Sequence, residues 1–173
     1  MKKILLILCL LLIYPVTGQA SHYINHEHNF QITLPDGWSS IASPDSELPA
    51  VGIQSEVGIA GLVITIEELG FKETFDDFSA EDIKELSSDI GNALKKVQSN
   101  LVIQSTQLTY INGQQALVMR YYYTIEGSNT KITGIITNFA KNYQLYSLNL
   151  ATNDTSLFYE EIYWQTCASF SFL

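Results

Sequence analysis

Basic residues are scarce in this chain. Nine Lys+Arg face 18 Asp+Glu across 173 residues, with Arg120 the single arginine, giving a formal net charge of −9. A nucleic-acid-binding face needs clustered positive charge, so that class of partner is excluded. Cysteine is equally sparse. Two residues, Cys9 and Cys167, cannot build a disulfide scaffold. Histidine is confined to His22, His26 and His28. With the C-terminal cysteine and the histidines at opposite ends, no nucleophile sits beside a base in the sequence, and no enzymatic activity is expected. The glycines Gly52, Gly58 and Gly61 lack the spacing and the following Lys-Ser/Thr of a phosphate loop, so they read as turns or bulges. Repeats, linkers and low-complexity blocks are also missing.

What is present begins with an export signal over residues 1–20. Lys2 and Lys3 precede the uninterrupted apolar run Ile4 to Ile13, and Gly18-Gln19-Ala20 places small residues at a cleavage site. Ten helical residues reach only about 15 Å, half a bilayer core, so no transmembrane segment is expected after cleavage. The setting of Cys9 lacks small neighbours and is poor for lipid attachment. The expected product is soluble and either periplasmic or secreted. Its charge is 7 minus 18, or −11, and Cys167 is its one thiol, lying among apolar residues that predict burial.

Residues 21–29 read as a flexible, histidine-containing leader, and residues 30–173 as one domain. Phe30, Ile32 and Leu34 alternate with polar residues as in a half-buried strand. Pro35-Asp36-Gly37 supplies turn chemistry before a second strand at Trp38 to Ile41. Ser43 to Pro49 reads as an exposed loop, and two strands are expected between Val51 and Ile66, parted near Glu56-Val57-Gly58. Ser79 to Asn100 predicts a helix. Ser79 and Asp82 form a capping-box-like start, Ile83, Leu86, Ile90, Leu94 and Val97 make an apolar stripe, and Lys95 and Lys96 suit the C-terminal dipole. Four consecutive antiparallel strands follow, at Leu101–Ile111, Gln115–Ile125, Lys131–Ala140 and Tyr143–Ala151, with Asn112-Gly113 as a strong hairpin turn. Tyr121 and Tyr123 should share one face, with Arg120 and Tyr122 on the other. A last helix from about Thr155 to Ala168 would bury Phe158, Ile162 and Trp164. Segregated helices and runs of strands define an α+β class with an antiparallel sheet flanked by helices.

The order of these elements resembles the PsbP-like families, which share the Mog/PsbP fold. The resemblance is carried by Phe30-Gln31-Ile32-Thr33-Leu34-Pro35-Asp36-Gly37-Trp38 as opening strand and Pro-x-Gly-Trp turn. Ile111-Asn112-Gly113-Gln114-Gln115-Ala116 matches the central hairpin, and Ala168-Ser169-Phe170-Ser171-Phe172 the ending after the last helix. It spans Phe30 to Phe172 and implies an α/β/α sandwich. Members of the superfamily act mostly as binding or accessory proteins without catalysis. The short signal points to the exported bacterial branch. No partner-site motif of the family is matched.

Two constellations remain as candidate sites. His22, His26 and His28 are good imidazole ligands for Zn, Cu or Ni, although three histidines without cysteine fit no structural-zinc pattern and a mobile site must lose chain entropy to bind. The alternative is a polar lead into the first strand. The acidic belt from Glu67 to Asp89 holds nine of the 18 acids. Within it Glu73, Asp76 and Asp77 are candidates for contact with a basic partner, with Arg120 as a candidate anion contact. Their spacing does not form a calcium loop, and a solvated face and a paired Arg are the alternatives. The sequence therefore reads as a monomeric, exported, non-catalytic accessory protein that binds an envelope protein. A weak metal-binding protein is the alternative function.

Overall fold

In a computed structural model, residues 22–36, 38–42, 50–55, 60–70, 74–154 and 158–173 are described. The expected signal segment, the loop Ser43–Pro49 and Glu73 lie outside them. Ten strands run β1 His22–Asn25, β2 Phe30–Thr33, β3 Trp38–Ala42, β4 Ala50–Ser55, β5 Ala60–Glu68, β6 Val102–Ile111, β7 Gln114–Thr124, β8 Lys131–Lys141, β9 Gln144–Thr152 and β10 Ser171–Phe172. A 3-10 turn spans Phe75–Asp77, and the helices are α1, Ala80–Val97, and α2, Phe158–Ser169. The fold is α+β.

Seven strands form one antiparallel sheet in the order β3-β4-β5-β9-β8-β7-β6. Strand β5 pairs with β9, from Ala60 opposite Thr152 to Glu68 opposite Gln144. The chain leaving β5 must therefore cross β9, β8 and β7 before it can lay down β6. Helix α1 makes that crossing, which is why it covers one sheet face. Its start matches expectation: Ser79 caps the helix, its backbone N–H donating to Asp82 (2.8 Å) and its hydroxyl accepting from the Asp82 backbone N–H (3.2 Å). Ile83, Leu86, Ile90 and Leu94 pack on the sheet, but Val97 is 47% exposed because the helix ends there.

Helices on both faces explain the unbroken buried runs in β7, β8 and β9. Ala116, Val118, Ile135, Phe139, Tyr146, Leu148 and Leu150 belong to the core beneath α2, together with Leu62, Ile64 and Ile66. Leu117, Leu145, Tyr121 and Tyr123 belong to the two smaller clusters beneath α1. The expected sharing of a face by Tyr121 and Tyr123 holds. Their rings stack at 6.5 Å, and the Tyr121 hydroxyl donates to Asn149 (2.8 Å). Tyr121 also lies directly over Gly134, so a Cβ there would coincide with its ring.

Helix α2 buries Cys167 as expected, but its most buried stripe is shifted from Ile162 and Trp164 toward the tyrosines. Tyr159, Tyr163, Thr166 and Cys167 are inside, Ile162 and Trp164 are half-buried, and the Phe158 side chain lies outside the described residues. The stripe is displaced because polar-tipped residues find partners within. The Tyr163 hydroxyl donates to the Leu148 carbonyl (2.8 Å) and lies 2.7 Å from the Thr137 hydroxyl, which can donate to it.

Within the expected leader, residues 22–25 form a strand. They pair with β2 from His22 opposite Thr33 to Asn25 opposite Phe30, and β10 pairs with the other side of β2. Tyr23 packs against Phe30 (5.9 Å), and the Tyr146 hydroxyl lies 3.0 Å from the His28 carbonyl. This small sheet joins the two ends of the domain beside α2.

Three outcomes follow from this packing. Gly134→Ala should cost about 1–3 kcal/mol in urea unfolding by overpacking. In a Tyr121→Val background the same change should cost less than about 1 kcal/mol. Equal costs in both backgrounds would show that the ring does not impose the glycine. Burial pushes the Cys167 thiol up to about 12 from an ordinary 9.0 and also raises Tyr163. Above the ordinary values the unfolded chain has lost protons that the folded chain keeps, so the contribution of these two groups should be level below about pH 9 and stability should fall from there toward pH 12. Cys167 should also resist iodoacetamide in the folded protein and react in urea, read by peptide mass spectrometry.

Candidate functional site

At one end of the large sheet the β6–β7 and β8–β9 turns meet the 3-10 turn and β10. They enclose a cleft of about 360 Å³ lined by Thr74, Phe75, Asp76, Tyr110, Gly113, Gln114, Gln115, Ala140, Lys141, Ser171 and Phe172. Local sequence builds its walls. Asn112 and Gly113 hold φ of 49° and 78°, the pair of positive values that a type I′ turn demands, and this places Gln114 and Gln115 at the cleft floor. Thr74 caps the 3-10 turn, its backbone N–H donating to Asp77 at 3.0 Å. That commits the Asp77 carboxylate to the turn, whereas exposed Asp76 lines the cleft.

The cleft has two unusual polar atoms. Among the described residues, the Oε1 atoms of Gln114 and Gln115 are shut off from solvent and meet no donor. An unsatisfied buried acceptor costs on the order of 1–3 kcal/mol. Across from them stand a carboxylate at Asp76 and an ammonium at Lys141, the latter 5.8 Å from the Phe172 ring. Tyr110, 67% exposed, offers a large amphipathic ring at the rim. The two glutamines and Tyr110 were not singled out by sequence. Their only signal was position beside the Asn-Gly turn.

Arg120 is not brought to this cleft. It projects on the α2 side of β7 and forms a two-pronged pair with Glu160, at 3.1 and 2.6 Å. The Trp164 indole N–H donates to the same carboxylate (3.2 Å), and the guanidinium lies 5.8 Å from the Trp164 ring. The pairing with Glu160 raises Arg120, and Arg120 in turn holds the Glu160 carboxyl below its ordinary value. Arg120 thus ties β7 to α2 and lines a second, smaller cleft of about 200 Å³ with Glu160 and Asp154.

The histidines are separate from both clefts. The two ring nitrogens of His22 lie 3.2 Å from Thr33 Oγ1 and Gln31 Oε1, so both are occupied along the β1–β2 pair. His26 and His28 lie in the turn between those strands, where the His28 backbone N–H donates to Asn25 (2.9 Å). Among the described residues, no three His, Cys, Asp or Glu side chains converge to hold a metal ion. Nor is any helix among them long and apolar enough to cross a membrane.

No family model matches the chain, and no curated protein matches its sequence. Its structure does have counterparts. The cyanobacterial PsbP (CyanoP) of Synechocystis sp. PCC 6803 superposes with a TM-score of 0.72 at 13% identity, over 94% of this chain and 99% of that one. LpqN of Mycobacterium tuberculosis, described as involved in cell envelope biogenesis, superposes at 0.55 with 13% identity, over 91% and 88% of the two chains. A protein from Bacteroides thetaiotaomicron VPI-5482 superposes at 0.60 with 10% identity over 90% of this chain, which spans only 49% of that longer one. At these identities the likeness is one of fold: the chain has the PsbP-like α+β fold.

Proposed function

We propose that this chain is an exported, non-catalytic accessory protein that works by binding another protein in the cell envelope. The observation that carries the reading is the end-of-sheet cleft. It gathers Tyr110, Asp76 and Lys141 at an open surface beside Gln114 and Gln115, whose side-chain carbonyls meet no partner among the described residues. A ligating surface that presents N–H donors would satisfy acceptors that the described residues leave unpaired, once their amides turn outward.

The reactive groups elsewhere support the same reading. Cys167 is fully buried, Arg120 is engaged by Glu160, and His22 is engaged by Thr33 and Gln31. None of them meets another as nucleophile and base. The apolar N-terminal run with its small-residue cleavage site supports export, and the fold is shared with LpqN, a protein of cell envelope biogenesis.

The test is site-specific photocrosslinking in cells of the source organism. A benzophenone side chain at Tyr110 should give one discrete adduct in the envelope fraction with a protein other than this chain, reduced at least about fivefold by Asp76→Lys. The same probe at Lys84, exposed on α1, should give none. Adducts from Lys84 but not from Tyr110, or recovery of the protein outside the envelope and exterior fractions, would overturn the reading.

A further inference from the structure

Among the described residues, strand β6 closes one edge of the seven-stranded sheet and pairs with β7 alone. Edge strands are ordinarily blunted by charge, proline or brevity. This one has ten residues, Val-Ile-Gln-Ser-Thr-Gln-Leu-Thr-Tyr-Ile, with no charged residue and no proline. Its one irregularity is a register shift between Ile103 and Ser105, at the end away from the turn.

The hairpin fixes which backbone groups are free. In a two-residue turn the flanking residues, Ile111 and Gln114, form a hydrogen-bonded pair. Bonding to β7 then alternates along β6, so Tyr110, Leu108 and Thr106 direct their N–H and C=O groups outward. The same three residues carry exposed side chains, with Leu108 at 41% and Tyr110 at 67%. Opposite Leu117 and Met119, Leu108 and Thr106 share the α1 face of the sheet.

We propose that β6 is the interface of a homodimer, two copies pairing antiparallel about Leu108. In that register Leu108 faces Leu108 of the second copy, and Thr106 faces Tyr110 on either side. Every facing residue is one whose backbone points outward, so the ladder closes without distortion. An identical pair of antiparallel strands is two-fold symmetric, and the association stops at two.

Charge favours a second copy over a foreign segment. The chain carries −9, yet none of its 18 acids lies on β6, so self-pairing sets no acid against acid. A basic foreign strand would find no carboxylate along this edge. The remaining repulsion between two acidic bodies acts at longer range and is screened beyond about 10 Å at 0.1 M salt. A short strand pair buries less than a standard interface, so the dimer should be weak and concentration-dependent.

Sedimentation equilibrium of the purified protein tests this between about 10 µM and 1 mM. The expected result is a monomer–dimer equilibrium that tightens as salt rises. Leu108→Lys and Leu108→Glu should each weaken dimerisation at least tenfold, and an equimolar mixture of the two should restore it, because the mixed pair brings opposite charges face to face. Unchanged far-UV circular dichroism and thermal midpoints would show that both variants fold. A wild-type monomer at 1 mM, a dimer indifferent to both substitutions, or a mixture that stays monomeric would overturn the proposal.

Discussion

The pairing of β5 with β9 is the constraint on which the rest of the structure depends. It joins strands about eighty residues apart through nine facing pairs, with Leu62, Ile64 and Ile66 opposite Leu150, Leu148 and Tyr146. Closing a loop of that length costs chain entropy that only a large apolar contact can offset. Once made, the pairing places the β6–β9 meander beside the N-terminal strands and forces α1 to span the intervening face. The opposite face is left to α2 and to the small sheet in which β2 lies between β1 and β10. The two-sided burial of β7, β8 and β9 is a consequence of that layering.

The same layering separates chemistry from surface. Side chains with reactive potential are drawn inward or tied to neighbours. Cys167 lies beside Tyr163 in the main core, and Arg120 is held by Glu160 and Trp164 between β7 and α2. What stays open lies at the margins of the sheet. One margin is the cleft where two turns and the 3-10 element meet, and the other is the uncharged edge of β6. Both are backbone-defined features, set by hairpin geometry more than by any single catalytic side chain.

Much of the fold was legible because its signals are local. Asn112-Gly113 specifies a type I′ turn, Ser79 and Asp82 specify a helix start, and the alternation Phe30, Ile32, Leu34 specifies a strand whose inward residues are all buried. The four-strand meander emerged with its ends displaced by a few residues at most. The burial of Cys167 was legible, but the tyrosine side of the α2 stripe was not, because Ile162 and Trp164 outrank Tyr163 on hydrophobicity alone. The winning face depends on Thr137 and the Leu148 carbonyl, which come from other strands. The strand at His22–Asn25 was hidden for a similar reason: Phe30 of β2 packs against its Tyr23, and Tyr146 of β9 reaches the carbonyl of His28 in the turn that follows. Of the candidate partner residues, Asp76 reaches the cleft, Asp77 is used in a local cap, and Arg120 belongs to a different face.

By itself the sequence determined the class of structure, the position of most strands and α1, the acidity that excludes nucleic acid, and the alternation that sets Arg120 apart from Tyr121. Each of these rests on periodicity or composition, which act over a few residues. Tertiary structure alone decided that β5 meets β9, which face of α2 is most buried and, among the described residues, that Gln114 and Gln115 meet no donors and that β6 lies at a sheet edge. These outcomes turn on which distant surfaces meet, and no local pattern of residues encodes that choice.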